Sequence, residues 1–596
     1  MSPFLSLVGR FGRDERGVFA VVFGLMAIVL IALGGAVVDY VALQQARSRA
    51  QIALDAAALA LQPLIFNEPV DEDDIKTKAE NLLRDRLGVV DGVGDFGVTA
   101  EITDTVVDVP TGSLRLDAHI QLPTMFVSLV GVQQLGASIT SEAQRMMLDL
   151  EVAMVLDNSG SMAGSRISNL KTAARCATNI LLYDAVDDAT CNPLAGAEVK
   201  ENVKIGLVPF ALTVNIGTQF KNEAWLDWTG TSTLSSLNFD SDDNDANTFN
   251  GPVNRLDLYT QTDSDWNGCV EARKSPNDTT DEPPNTPETK FLPMFTPDTY
   301  MGLTNDYLSD LGGTCPINQC TKTATYTGCS YNRWGGLSCS NGPTTRYTKK
   351  VGTTTTGPNN NNCIGSGWTL AEKSAGLSGS TYTETETYSP LSPRELQERL
   401  CKYTGTNVSN SRTNANCANT AILPLNNLPD TITTRINQMT ANGNTNIQQG
   451  TIWGVHMLTD AEPLTEALPT SDSVAKALIV MTDGENYPAW GNDMNGGAYF
   501  SWGYRWNNRL APANETDTHA KMADAMDEKT LAACKTARDL GIRVYVVGLA
   551  VPSGLKAMLD ECSSGPEYAF FPNTPSDLVD DFKEIAGRLA PLRLAQ

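Results

Sequence analysis

Met154 to Met162 reads MVLDNSGSM, an apolar run that stops at Asp157, Ser159 and Ser161. A buried strand ending in one carboxylate and two hydroxyls at alternate positions presents hard oxygen ligands on one side of a turn. Such ligands suit Mg2+, which prefers six oxygens and keeps several of its waters. Two later stretches carry the same kind of oxygen. Gly443-Asn444-Thr445-Asn446 opens an expected helix, Ile447 to Leu458, and Asp483-Gly484 follows an expected strand, Ala477 to Met481. Doubly wound sheets bind ligands at the C-terminal ends of their strands, near a switch in strand order. These three loops therefore carry the candidate metal-binding oxygens, and the first is suited to hold a metal with one coordination position left open. In the second, Thr445 is singled out by its Gly-Asn setting, with Thr440 and Thr451 nearby. The three histidines, His119, His456 and His519, are scattered, and no Ser/His/Asp or Cys/His constellation emerges. The chain reads as a non-enzyme, with a hydrolase hidden in its central segment as a lesser alternative.

The elements that must position these oxygens follow an α/β pattern. Apolar strands alternate with amphipathic helices, as in a doubly wound sheet. Leu148–Leu156 is the first expected core strand and Val203–Val214 another. Between them Ile167, Leu170, Ala174 and Ala177 share one helical face. The texture then changes. Residues 220–425 are rich in Thr, Ser, Asn, Gly and Pro, as in GTTTTGPNNNN at 352–362, and hold eight of the twelve cysteines. Such a segment buries little apolar surface, so it is expected to need staples or to stay mobile. Regular patterning returns at Leu423. A helix is expected from Ala520 to Leu540, and a strand from Val544 to Leu549. A capping box at Thr574-Pro575-Ser576-Asp577 opens a last helix with Leu578, Phe582, Ile585 and Leu589 on one face. The α/β domain is thus expected in two parts, 147–219 and 426–596, split by the insertion 220–425.

The N-terminal part has a different character. Val18 to Val38 carries no charge and as a helix would extend about 30 Å, enough to cross a bilayer. Arg10, Arg13 and Arg16 precede it, which places the N-terminus in the cytoplasm by the positive-inside rule. Ala32-Leu33-Gly34-Gly35-Ala36 is a poor signal-peptidase site, so an uncleaved anchor over about 17–38 is expected. An Ala-rich helix continues to Leu61 with Leu43, Ala46, Ala50, Ala53, Ala57 and Leu61 on a stripe. That stripe could receive a partner helix or lean on the chain's own domain. Residues 1–62 form this segment, and 63–146 a small α+β membrane-proximal domain in which Leu114, Leu116, Ala118 and Ile120 alternate with polar residues. The net charge of −25 argues against a nucleic-acid partner. The twelve cysteines without a Cys-x-x-Cys pair suit an oxidising compartment and argue against zinc. Asp240, Asp242, Asp243 and Asp245 fail the spacing of a calcium loop and read as a solvated acidic loop. Trp225, Trp228, Trp266, Trp490, Trp502 and Trp506 either line a binding surface or pack a sparse core.

Two resemblances follow from these residues. Asp157-x-Ser159-x-Ser161, Thr445 and Asp483-Gly484 resemble the three segments of the metal-ion-dependent adhesion site of von Willebrand factor A domains. The resemblance implies that Ser159 and Ser161 bind the metal through their hydroxyls and Thr445 directly or through water. It implies that Asp157 and Asp483 act largely through waters, and that a partner's Asp or Glu carboxylate fills the open position. Arg16-Gly17-Val18-Phe19, the apolar run, Val38-Asp39-Tyr40 and QIALDAAALAL at 51–61 are similar to the start of TadG-like tight-adherence (Flp/Tad) pilus assembly proteins. That family pairs the segment with a C-terminal A domain. Val22 stands where prepilin substrates have Glu, five residues after Gly17, which favours a retained anchor.

The resulting expectation is a Tad/Flp pilus-assembly or adhesion protein of the bacterial inner membrane, single-pass, with its bulk periplasmic or surface-exposed. It would bind Mg2+, with Mn2+ or Ca2+ as alternatives, and engage a protein ligand through a carboxylate. A structural envelope component with a silent metal site is the main alternative. Cys534 and Cys562 are expected to form a disulfide worth about 3–4 kcal/mol in the chain-entropy model, and Cys176 and Cys191 a second. The connectivity of the other eight cysteines is not readable.

Overall fold

A helix of 46 residues, α1 (Arg16–Leu61), carries the apolar run, because nothing between Val18 and Val38 breaks or charges it. The computed structural model describes residues 16–66, 72–87, 97–108, 113–144, 149–240, 252–299, 306–315, 318–351, 354–356, 368–471 and 473–589. Among these, α1 supplies one stretch long and apolar enough to cross a membrane, with Val21, Phe23, Leu25 and Leu30 exposed along it. The chain divides into two compact units, with the boundary between residues 147 and 148.

In the first unit, α2 (Glu72–Arg86) has acidic residues in its first turn and Arg84 and Arg86 in its last, the polarity that the helix dipole favours. Strands β1 (Thr99–Asp108), β2 (Ser113–Pro123) and β3 (Gln134–Gln144) form an antiparallel sheet with β2 central. Leu114, Leu116, Ala118 and Ile120 point to one face, and they meet Ile75, Ala79 and Leu83 of α2. The alanine stripe of α1 joins the same core: Ala50, Ala53, Ala57 and Leu61 are buried there, so the stripe leans on its own domain. Asp39 ties the helix down further along. Its carboxylate accepts the backbone N–H groups of Met125, Phe126 and Val127 at 3.1, 2.9 and 2.9 Å.

The second unit begins with β4 (Asp149–Asp157), α3 (Ser165–Leu182) and β5 (Val203–Phe210). The central segment then supplies β6 (Asn318–Tyr331), β7 (Leu337–Val351), β8 (Thr354–Thr356), β9 (Thr369–Ser378) and β10 (Thr381–Ser389), an antiparallel sheet in the order β8-β7-β6-β10-β9. Thereafter come β11 (Leu423–Asn426), α4 (Pro429–Gln438), α5 (Ile447–Met457) and β12 (Val474–Thr482). The last elements are α6 (His519–Asp539), β13 (Arg543–Gly548), α7 (Ser553–Cys562), β14 (Ala569–Phe570) and α8 (Asp577–Leu589). A six-stranded sheet runs in the order β11-β5-β4-β12-β13-β14, parallel except for β11. Its strands are apolar on both faces because helices cover both. Leu150, Val152, Met154 and Leu156 face α3, α4 and α8, while Ala153 and Val155 face α5. The capping box before α8 is present, with Thr574 N–H on Asp577 Oδ2 at 3.0 Å and Asp577 N–H on Thr574 Oγ1 at 3.4 Å.

The central segment, expected to need staples or to stay mobile, is stapled and also contributes to a packed core. Trp225, Phe239, Tyr259, Trp266, Phe295 and Tyr403 join the core that contains α5. Each such ring buries roughly 150–250 Å2, so a few of them compensate for the low apolar content between. Trp225, Trp266 and Trp502 are buried, which assigns them to packing. Asp240 is fully buried and donates its N–H to Glu398 O at 2.6 Å, so it is not part of a solvated loop; Asp242, Asp243 and Asp245 lie outside the described residues. Lys402 Nζ bridges Asp298 Oδ2 at 2.9 Å and Asp310 Oδ1 at 2.8 Å, all three fully buried. Disulfides join Cys269 to Cys417, Cys315 to Cys401 and Cys329 to Cys339. The expected pairs Cys534–Cys562 and Cys176–Cys191 are both formed.

All eleven residues of α5 are buried, its outer face by the central segment. Gln448 Nε2 donates to Asp278 O, and His456 Nδ1 pairs with Asp281 Oδ1 at 2.8 Å. Its inner face approaches the sheet so closely that only glycine fits at two positions. A methyl group on Gly454 would overlap Leu478 and lie 2.7 Å from Val155 Cγ2. Gly454→Val is therefore expected to destabilise the chain by about 1–3 kcal/mol, read as a lower denaturation midpoint.

Candidate metal centre

Of three loops, the first and third in chain order leave the sheet at the C-terminal ends of β4 and β12, and the second, between α4 and α5, lies against the first. Leu156 of β4 pairs with Met481 of β12, so the next residues, Asp157 and Thr482, emerge side by side. Asp157 is fully buried and its Oδ1 accepts the N–H of Ser159 at 2.7 Å. Its Oδ2 accepts the hydroxyl of Thr482 at 2.7 Å. Both oxygens of Asp157 are thus fixed from within the site.

The hydroxyls form a short relay. Ser159 Oγ lies 2.9 Å from Ser161 Oγ, and Ser161 Oγ donates to Asp483 Oδ1 at 2.6 Å. The other oxygen of Asp483 meets the guanidinium of Arg166, in the first turn of α3. Burial and the neighbouring Asp483 carboxylate push the Asp157 carboxyl up to about 6, against the hydrogen bonds from Ser159 and Thr482. Two carboxylates held this close repel each other when both are ionised.

The second loop is laced to the first through the backbone. Gly160 N–H donates to Gly443 O at 2.8 Å, and Asn442 N–H to Asn158 O at 2.8 Å. Gly443 has φ of +81°, a left-handed turn that glycine adopts without strain. Thr445 follows it, buried, and its carbonyl accepts Tyr487 N–H at 2.9 Å. Among the described residues, the Thr445 hydroxyl makes no hydrogen bond to Asp157, Ser159, Ser161 or Asp483. The structure therefore joins those four directly and places Thr445 on the adjoining loop. Asn486 links the third loop to the second by accepting Ile447 N–H at 2.8 Å.

The donor set fits a small hard dication. Among the described residues, no three His, Cys, Asp or Glu side chains cluster as metal ligands. The site instead mixes neutral hydroxyls with two carboxylates, the chemistry of Mg2+ rather than of zinc. Ser159, Ser161 and Thr445 could supply the hydroxyls, and Asp157 and Asp483 the charge.

Sequence reasoning missed Arg166 and Thr482. Thr482 adjoins Asp483 and differs only in which carboxylate it serves. Arg166 was signalled by its position: it lies at the start of the helix that follows the Ser161 turn.

In the second unit, a largely parallel sheet carries hydroxyls and carboxylates at its C-terminal edge, a mixed α/β arrangement. Among solved structures, the chain is similar to the vWF domain of the type V pili tip protein Mfa5 from Porphyromonas gingivalis, with 10% identity and a TM-score of 0.28 over 76% of this chain and 98% of that one. It is also similar to the pilus adhesin SpaC from Lactobacillus rhamnosus GG, with 9% identity and a TM-score of 0.26 over 84% of this chain. The chain spans 35% of the length of SpaC. No curated protein matches the chain. Residues 17–62 match the Tad family, described as Flp pilus-assembly TadE/G-like.

Arg166 holds a carboxylate that a dication would need. Arg166→Ala is expected to tighten Mn2+ or Mg2+ binding by about three- to tenfold, since a charge-assisted contact competing for Asp483 is removed. Titration calorimetry of the variant against the parent chain checks this.

Proposed function

We propose that the second unit is a von Willebrand factor A domain, doubly wound and split by the insertion after β5, that holds Mg2+ and engages a partner's carboxylate. The observation that carries the reading is the hydroxyl relay from Ser159 through Ser161 to Asp483, beside the buried Asp157. Ser159 and Ser161 would hold the metal, with Thr445 contributing directly or through a water. When bound, the metal supplies an electrophilic position for an external Asp or Glu. Neutral hydroxyls preserve that character, whereas carboxylates bound directly would quench it. The chain's own residues orient the hydroxyls, exclude bulk water from Asp157 and keep both carboxylates in place.

The Tad match at 17–62 and the apolar part of α1 support a membrane-anchored protein of Tad/Flp pilus assembly or adhesion. In this reading the anchor crosses the inner membrane once, the N-terminus is cytoplasmic, and the protein acts by binding rather than by catalysis. The partner is a protein, such as a pilus or secretion-machinery component. One observation favours a second reading, a structural envelope protein with a silent site: Arg166 already occupies Asp483.

The two readings separate in one experiment. Full-length chain in detergent is melted with Mg2+ and with chelator, beside Asp157→Ala and Ser159→Ala. The binding reading expects Mg2+ at a hundredfold its Kd to stabilise the parent chain by about 2.7 kcal/mol. It expects both variants to lose that increment and the cells carrying them to lose piliation or adhesion. A parent chain indifferent to Mg2+, with variants of unchanged phenotype, contradicts it.

A further inference from the structure

The hairpin formed by β6 and β7 has a charge that sets it apart. Across 318–351 stand Lys322, Arg333, Arg346, Lys349 and Lys350, with no Asp or Glu, in a chain of net charge −25. Screening limits the reach of surface charge to about 8–10 Å at physiological salt. Glu384 and Glu386 of the neighbouring β10 stand on the Lys322 face of the sheet, whereas Arg346 and Lys350 stand on the other, so a ligand on that second face meets these cations first.

The tip is built to display an aromatic ring. Trp334 is 80% exposed and Tyr331 57%. The turn beneath them is rigid. Asn332 Oδ1 accepts the N–H groups of Trp334 and Gly336, both at 2.9 Å, and Asn332 N–H donates to Gly336 O at 2.8 Å. Cys329 and Cys339 face each other across the strands and are bonded. Arg333 lies with its guanidinium 4.9 Å from the centre of the Trp334 ring. Trp334 is thus held out into water by a stapled turn, and little conformational freedom remains to be lost on binding.

The cations follow the length of the hairpin. Lys322 is paired with Glu386 at 2.8 Å, and Lys349 lies over the Trp368 ring. Arg333, Arg346 and Lys350 make no ion pair among the described residues. Arg346 and Lys350 share one face of β7 by the alternation of a strand. They stand about 30 Å or more from the tip at roughly 3.3 Å per residue. A flat membrane touching the tip would reach Arg333 alone. The desolvated centre of an interface with a folded protein clusters apolar and aromatic side chains, whereas here Tyr331 and Trp334 stand at the tip and Val351 at the far end of the hairpin. A single ring with hydroxyl-rich strands and spaced cations suits an extended polymer of acidic sugars.

We propose that the β6–β7 hairpin binds an acidic polysaccharide, with Trp334 stacking on a sugar ring and Arg333, Arg346 and Lys350 pairing with its acidic groups. The site is separate from the candidate metal centre and independent of it. The test uses the full chain in detergent, in the presence of chelator, on immobilised polygalacturonate. Neutral dextran and phosphatidylglycerol vesicles are the comparison surfaces. The parent chain is expected to bind polygalacturonate with chelator present, with affinity falling as salt rises. Trp334→Ala is expected to weaken binding about tenfold. The double variant Arg346→Glu/Lys350→Glu is expected to weaken it and flatten the salt dependence. Both changes lie at exposed or half-exposed positions, and unchanged melting temperatures report that the variants are folded. The proposal is overturned if polygalacturonate is not retained by the parent chain, if folded variants bind as the parent does, or if dextran or vesicles bind equally well.

Discussion

β4 and β12 run parallel with Leu156 opposite Met481, and this register brings the site together. Thr482 reaches Asp157 across 325 residues of sequence, and Ser161 reaches Asp483 across 322. A slip of one residue would turn Asp157 to the other side of the strand and bury the wrong face. The register is enforced by burial on both sides, because Val155 and Val480 belong to one core and Met154 and Ile479 to the other. The energy that holds two like charges near each other is thus supplied by the apolar sheet below them.

The second support is α5, whose first turn follows the loop carrying Thr445. In a two-layer domain such a helix would keep a polar face in water. Here the central segment covers that face, and its polar residues find partners in Asp278 and Asp281. Gly450 and Gly454 let the helix sit close to Val155, Phe210 and Leu478. A loop anchored to a helix buried all round has little freedom to drift from Ser159 and Ser161. The central segment therefore positions the site as well as flanking it.

Much of this was legible in the sequence, for physical reasons. The apolar run up to Leu156 and the turn after it marked Asp157, Ser159 and Ser161, and the apolar run before Thr482 marked Asp483. Cys534 and Cys562 sit on consecutive helices joined by one strand, so their pairing was readable. Cys269–Cys417 was not, because eight cysteines in a weakly patterned segment admit too many connectivities. The packing of Phe239, Phe295 and Tyr403 was not legible because the rings are dispersed along the central segment with no helical or strand period, and Trp225 was left between packing and a binding surface. The Thr-rich stretches read as low complexity but form strands in which Thr321, Thr323 and Thr325 face Thr387, Thr385 and Thr383. With both faces polar, a strand loses the hydrophobic alternation by which it is recognised. Arg166 escaped because its contact with Asp483 is tertiary.

The metal reading is most directly tested by diffraction at the manganese absorption edge from crystals of the chain grown with Mn2+. The predicted result is one anomalous peak within about 2.0–2.3 Å of the Ser159 and Ser161 hydroxyl oxygens, with Arg166 withdrawn from Asp483. A map with no peak there, and Arg166 still seated on Asp483, would contradict it.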